Sequence, residues 1–262
     1  MALRATEAAD MLMREHRGGA TFRPFAQAFG IASVDDAYAV QRAYVDSLTQ
    51  AGGAAAAGYK IGLTSKRMQE MCGIGEPIEG IILGDRVHPS GARLRTTDYG
   101  RMGVEFEVAV RLTRDLPSDG SAPTLTDVAA AVDAIAPAIE IVDDRDADYR
   151  GLDVLSLIAD NSWNAGVVLG SFAAPPADLA AAEGRVSMNG VVVDRGFGRD
   201  VLGHPFYSVA WLASHLGASG ACLRAGDIVM TGNFVTTKFP EPGSAFRFEI
   251  DGLGAVELAV MA

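Results

Sequence analysis

The sequence predicts an α+β fold, with a helical N-terminal part over residues 1–75 and a β-rich domain over residues 76–262 arranged as a sandwich or roll. Three observations lead there. Apolar residues recur at helical spacing through the first fifty positions. From residue 57 onward the chain breaks into short runs punctuated by Gly, Pro and Asp. Helices interrupt those runs only twice, so the regular strand–helix alternation of a doubly wound sheet is missing.

Between Arg4 and His16, Ala8, Met11 and Leu12 follow helical spacing. A second helix is better marked: Ser33 with Asp36 three residues later reads as a capping box, and Ala37, Val40, Tyr44 and Leu48 form one face before Gly52-Gly53 stops it. Strands are expected at 80–83, 103–112, 138–142, 165–169, 186–193, 227–231, 245–250 and 255–260. The two interrupting helices are expected from a cap near Thr124 to about Ala134, and from about Phe206 to Leu216. No internal repeat is present, and low complexity is confined to short Ala runs near 51–57 and 178–182.

The 262 residues carry 22 basic and 33 acidic side chains, a formal charge of −11, with 49% hydrophobic and 21% charged. That is ample for a packed core of one large domain or two modest ones. So acidic a chain argues against nucleic acid as a partner, because phosphate binding needs clustered Lys and Arg. No apolar run reaches 18 residues, and the first nineteen positions lack the apolar stretch of a secretory signal. Two cysteines, Cys72 and Cys222, can build neither a disulfide framework nor a Cys-rich zinc site, which fits a reducing cytoplasm. The expectation is a cytoplasmic globular protein that handles a small molecule and binds neither membrane nor nucleic acid.

Several chemistries lose support because their motifs are missing. There is no G-x-G-x-x-G after a strand, no G-x-x-x-x-G-K-[ST], no H-E-x-x-H and no G-x-S-x-G. The G-x-G pairs at Gly73/Gly75 and Gly196/Gly198 read as turns.

The informative residues are carboxylates. In GVEFEVAVRL, residues 103–112, strand alternation puts Val104, Phe106, Val108, Val110 and Leu112 on one apolar face and Glu105, Glu107 and Ala109 on the other. Two carboxylates side by side repel unless water or a cation intervenes, so this face is either exposed to solvent or a binding face. In AIAPAIEIVDD, Glu140 stands among Ala138, Ile139, Ile141 and Val142, a buried-strand composition in which an unpaired carboxylate costs several kcal/mol. A Lys or Arg could pair with it, Arg145 being close in sequence. A divalent cation would satisfy Glu105, Glu107 and Glu140 together, and three carboxylates without His or Cys suit Mg²⁺ or Mn²⁺ over Zn²⁺. Lys60, in GYKIGLTS, is either a snorkelling surface lysine or a cation held beside an anionic substrate or moving a proton.

Six segments together carry a family likeness: KIGLTS at 60–65, E-F-E at 105–107, PAIEIVDDR at 137–145, ADN at 159–161, LGHP at 202–205 and GDIVMTG at 226–232. In this order the chain resembles the 2-oxopent-4-enoate hydratase and 4-oxalocrotonate decarboxylase family of the fumarylacetoacetate hydrolase superfamily. The resemblance implies a mixed β-sandwich roll with an N-terminal helical part. It implies metal ligation of Mg²⁺ (or Mn²⁺) by Glu105, Glu107 and Glu140, and an active-site role for Lys60 in orienting the substrate carboxylate or relaying a proton. Leu63, Thr64, Ser162 and Thr231 become candidate substrate contacts. The implied substrate is a small unsaturated 2-oxo or 2-hydroxy acid, with the metal as electron sink at its C2 oxygen. Members are usually homo-oligomers acting in bacterial breakdown of aromatic compounds.

The chain also departs from the family pattern. Hydratases read P-D-Y-G or P-D-F-G where this chain has Pro77-Ile78-Glu79-Gly80, so Ile78 replaces a candidate acid or base, as it commonly does in the decarboxylases. Glu79 is the candidate replacement, provided the backbone turns, since one step along a strand changes the face. Where the family reads D-N-A-S the chain has Asp160-Asn161-Ser162-Trp163, and Trp163 would narrow the pocket or wall it. Lys238 is either a solvated loop lysine or a partner for a second substrate carboxylate. His204 reads as structural, holding the turn before Pro205, His16 as lying on the first helix, and His88 and His215 as peripheral. The leading expectation is a hydro-lyase that adds water to 2-hydroxypenta-2,4-dienoate-type acids to give 4-hydroxy-2-oxo acids. A 2-oxo-3-hexenedioate (4-oxalocrotonate) decarboxylase comes second, and a non-catalytic binding partner of such an enzyme third.

Overall fold

The alternating run at 103–112 becomes the spine of the fold. A computed structural model describes residues 2–116 and 122–262. The N-terminal region contains α1 (Ala5–Gly18), α2 (Ala26–Phe29), α3 (Val34–Gln50), β1 (Ala56–Gly62) and α4 (Lys66–Cys72). Then follow β2 (Ile78–Leu83), β3 (Val87–Pro89), β4 (Ala92–Arg95), β5 (Met102–Leu112), α5 (Leu125–Ala131), β6 (Val132–Asp143), α6 (Val154–Ala159) and β7 (Asn164–Leu169). The remainder is β8 (Glu183–Met188), β9 (Val191–Phe197), α7 (Pro205–Ala218), β10 (Ile228–Asn233), β11 (Ala245–Ile250) and β12 (Gly254–Met261).

The strands form two mixed sheets, one of seven strands in the order β2-β1-β10-β5-β6-β7-β3 and one of five in the order β4-β12-β11-β8-β9. The α+β class is as the sequence predicts. Val104, Phe106, Val108 and Val110 are fully buried between the sheets, where Phe106 meets Phe246 and Phe248 with ring centroids 5.6 Å apart. Val209, Leu212 and Ala213 of α7 join the same core. Each such side chain contributes about 1.5–3 kcal/mol by leaving water. The opposite face of the large sheet is left to the carboxylates and, beside them, to a small apolar cluster that includes Ala109, Ala138 and Met230.

A second core holds the N-terminal helices. Ser33 Oγ accepts from Asp36 N and the Asp36 carboxylate accepts from Ser33 N, both at 3.1 Å, so the capping box forms. Ala37, Val40 and Tyr44 of α3 then pack with Ala8 and Leu12 of α1. Among the described residues no helix is long and apolar enough to cross a membrane.

The two helices expected among the strands become four, with α4 and α6 added, the short strands β3 and β4 were not expected, and three further elements differ. The run expected as one strand at 186–193 is a hairpin, because Asn189 (φ 51°) and Gly190 (φ 82°) make a two-residue turn with both residues left-handed. The helix begun at Thr124 stops at Ala131, and β6 starts at Val132, since β6 pairs with the whole length of β5. β1 lies before the 75/76 boundary yet is an inner strand of the large sheet, between β2 and β10. Its Gly58 and Lys60 interrupt the apolar run that would have marked it.

Candidate active site

Register builds the site. β5 and β6 run antiparallel, with Glu105 opposite Glu140 and Glu107 opposite Ala138, so the three carboxylates project from one face. One oxygen from each lies within 4.8 Å of the others. Glu107 and Glu140 are fully buried and Glu105 partly so, which removes the solvent-facing alternative. Segments at 62–68, 144–163 and 233–239 roof this face into a cavity of about 580 Å³.

Each carboxylate is held by a different element. The Gly232 amide donates to Glu107 Oε2 at 2.7 Å, the Thr237 hydroxyl to Glu105 Oε1 at 2.5 Å, and Asn164 Nδ2 to Glu140 Oε1 at 2.9 Å. Lys60 Nζ stands 3.2 Å from that same Glu140 oxygen and is itself buried. Lys60 is therefore the partner of Glu140, and Arg145 is not: its guanidinium goes to Asp160 at 2.7 Å and Glu15 at 2.8 Å. Glu107 Oε1 and Glu140 Oε2 remain buried with no hydrogen-bond partner among the described residues.

These orphaned oxygens decide the chemistry. Burial pushes Glu107 well above the usual carboxylate range, and Glu140 and Glu105 add to it. Burial likewise raises Glu140, against the pull of Lys60, to about 7. Burial opposes the charge on Lys60, but Glu140, Glu105 and Glu107 outweigh it and raise that pKa. A cation of charge +2 would keep all three carboxylates ionised and use the two free oxygens. Three carboxylates with no nitrogen or sulfur donor form a hard-cation set, so the residues fit such an ion.

Two glycines make room for this arrangement. Gly232 has φ +117°, and a Cβ there would lie 2.6 Å from Thr64 Cγ2. A Cβ on Gly80 would lie 2.7 Å from the Asn161 carbonyl and 3.1 Å from Lys60 Cγ, beneath the lysine stem.

The sequence candidates fall in two groups. Lys60, Glu105, Leu63, Thr64 and Ser162 line the cavity, and Glu107 and Glu140, fully buried, are grouped with Glu105 without lining it themselves. Leu63 adopts φ 55°, and Asn161, Ser162 and Trp163 form a left-handed run at φ 51°, 48° and 59°. Such backbone costs of order 1–3 kcal/mol per residue and clusters at functional sites. The run is pinned by Asn161, which pairs with both backbone groups of Ile81, and by the Ser162 hydroxyl, which donates to the Glu79 carbonyl at 2.6 Å. Trp163 walls the cavity, edge-on to Tyr149 and Phe22.

Glu79 and Thr231 fall outside. Glu79 sits opposite Ile61 in the register, whereas Ile78 and Gly80 sit opposite Gly62 and Lys60, so its side chain leaves the sheet on the other face from Lys60. The backbone turn needed to bring it round does not occur, and Ile78 lines the cavity instead. Thr231 is fully buried, and its hydroxyl donates to the Val108 carbonyl at 2.9 Å. Lys238 pairs with Asp194 rather than lining the cavity. His204 caps α7, its Nδ1 accepting from Phe206 N at 3.0 Å, and His16 meets Asp160 at 2.7 Å.

Sequence reasoning missed Asn164 and Thr237. Asn164 carried a signal, an amide opening an apolar strand directly after Asp160-Asn161-Ser162-Trp163. Thr237 carried none, because its contact depends on the chain returning alongside Val104.

Comparison with known proteins agrees with this geometry. Residues 37–261 match the fumarylacetoacetate (FAA) hydrolase C-terminal family. The chain is 36% identical over 231 residues to a 2-oxo-hept-4-ene-1,7-dioate hydratase of Escherichia coli, covering 86% of this chain and 85% of the relative. It is 34% identical over 252 residues to a 2-keto-4-pentenoate hydratase of Paraburkholderia xenovorans (strain LB400), covering 95% and 92%. Among solved structures, the 4-oxalocrotonate decarboxylase of Pseudomonas putida G7, complexed with magnesium and adipate, superposes with a TM-score of 0.90 at 28% identity, covering 98% of this chain and 97% of that one.

Proposed function

Because the chain belongs to the fumarylacetoacetate hydrolase C-terminal family, we propose that it is a metal-dependent hydro-lyase of aromatic catabolism, adding water to 2-hydroxypenta-2,4-dienoate-type acids to give 4-hydroxy-2-oxo acids. The observation that carries this reading is the buried trio Glu105, Glu107 and Glu140, with two unpartnered carboxylate oxygens, beside Lys60. Its hydratase relatives support the choice of reaction. Glu105, Glu107 and Glu140 would hold Mg²⁺ (or Mn²⁺), which when bound supplies Lewis-acid stabilisation of negative charge on the substrate's C2 oxygen.

The chain's own groups do the rest. Lys60, fixed by Glu140, presents a positive charge to the substrate carboxylate. The left-handed backbone at Leu63 and the hydroxyl of Thr64, both lining the cavity, would contact the same end. Ser162 donates to the Glu79 carbonyl, so its free lone pairs can accept a hydrogen bond from the cavity. The walls of Ile78, Leu157 and Trp163 limit bulk water around the reacting carbons.

A decarboxylase is the second reading, favoured by Ile78 in the cavity and by the P. putida structure. The deciding experiment gives purified protein Mg²⁺ with fresh 2-hydroxypenta-2,4-dienoate, then with 2-oxo-3-hexenedioate, and follows products by NMR. 4-Hydroxy-2-oxopentanoate formation that EDTA abolishes supports the hydratase. CO₂ release from the dicarboxylate alone replaces it with the decarboxylase, and no product from either removes both.

We also place the protein in the cytoplasm as a homo-oligomer. Two free cysteines support the first. Edge strand β9 supports the second, since its Val191, Val192 and Val193 are 66%, 46% and 42% exposed. Light scattering that finds a monomer would overturn it.

A further inference from the structure

We propose that the cavity selects an uncharged, apolar tail on its 2-oxo acid substrate and discriminates against a second carboxylate. This specificity rests on the 2-oxo acid reading above and narrows it, since the hydratase relatives' names cover both kinds of acid.

Charge carries the inference. Among the described residues lining the cavity, Lys60 is the single cation, and it faces the carboxylate trio. Three carboxylates line the same space, Glu105, Asp144 and the exposed Asp200. Two cations that flank the lining segments, Arg101 and Lys238, are already committed. Arg101 gives Nε to Asp144 at 2.8 Å and Nη1 to Asp146 at 2.8 Å, with a further donor to the Ala147 carbonyl at 3.3 Å, while its plane lies over Phe239. Lys238 is held by Asp194 and by the Thr236 hydroxyl at 3.2 Å. Among the lining residues, a terminal carboxylate on the substrate would meet no cation beyond Lys60 and the exposed carboxylate of Asp200, while Arg101 and Asp144 offset each other.

The large apolar side chains of the lining suit a hydrocarbon. Met68, Met71, Leu152, Trp163, Phe234 and Phe239 share the cavity, and Met71 and Phe239 are 48% and 47% exposed, marking its mouth. Large apolar side chains left in water at a cavity mouth are where an alkyl or aryl group gains burial. Methionine adds an adaptable surface able to fit more than one tail.

Titration calorimetry of the Mg²⁺-loaded protein with 2-oxohexanoate and 2-oxoadipate tests this. The two acids have the same six-carbon chain, differ only in the second carboxylate, and neither has a carbon–carbon double bond to which water could add. The expected result is at least 30-fold tighter binding of 2-oxohexanoate, with Met71→Lys reducing that ratio at least fivefold. Equal or tighter binding of 2-oxoadipate by the unaltered protein overturns the proposal. Failure to bind either overturns it together with the 2-oxo acid reading. A preference for 2-oxohexanoate without hydration of 2-hydroxypenta-2,4-dienoate sustains the proposal and removes only the hydratase.

Discussion

Replacing Glu79 by Gln separates what the strand register implies from what sequence adjacency suggested. Glu79 is 5% exposed, its Oε2 has no hydrogen-bond partner among the described residues, and burial raises its carboxyl from 4.5 to about 7 against the opposing charge of Arg42. Below about pH 4.5 the folded and unfolded chains both hold this proton. Between 4.5 and 7 only the folded chain does, so unfolding releases it and stability falls as pH rises. Above 7 both have lost it and the penalty is constant. The displacement from 4.5 to about 7 corresponds to about 3 kcal/mol. Glu79→Gln, uncharged at every pH, should match the parent near pH 4.5 and exceed its stability by up to about 3 kcal/mol at pH 8. Urea unfolding of both proteins from pH 4.5 to 8.5 in metal-free buffer measures the difference, and all other titrating groups cancel. Turnover should stay within about threefold, because the side chain leaves β2 away from Lys60. A stability difference independent of pH, or a loss of turnover beyond about tenfold, would refute the reasoning.

Glu107→Gln removes one of three mutually repelling carboxylates, so the metal-free protein should gain about 1 kcal/mol while Mg²⁺ affinity by calorimetry falls at least about 100-fold; unchanged affinity removes Glu107 from the ligand set. Gly232→Ala places a methyl 2.6 Å from Thr64 on a backbone at φ +117°, and urea midpoints should report a loss of about 2–4 kcal/mol. Ser33→Ala deletes the cap of α3 and should cost about 1 kcal/mol in the same assay with kcat unchanged.

Strongly periodic elements were legible in the sequence because they answer to local physics. β5 could be read from alternation alone, α3 from its capping box and face, and α7 from its apolar length after Pro205. Glu105, Glu107 and Glu140 were legible because a carboxylate among Val, Ile and Ala conflicts with its neighbours. What stayed hidden depends on pairing across the chain. β1 draws its strand character from β2 and β10, the stop of α5 at Ala131 from the full-length partnership of β6 with β5, and the Thr237 contact from a return of the chain past Val104. Residues 186–193 were missed for a different reason, since the Asn189-Gly190 turn signal is local and outweighed by the valines around it. Glu79 was offered for the site on condition that the backbone turned, and only the register shows that it does not.

That β5–β6 register also makes the site a checksum on folding. Shift β6 by a single residue against β5 and Glu140 would enter the packed space between the sheets, while Ile139 or Ile141 would take its place beside Glu105. The correct pairing keeps the carboxylates together and the isoleucines dry, and the nearest mispairing reverses both. The acidic cluster that opposes the folded state by its repulsion thus also penalises the wrong alignment of the two longest strands. Trading the three glutamates for apolar residues should give a more stable chain that commits to its register less strictly.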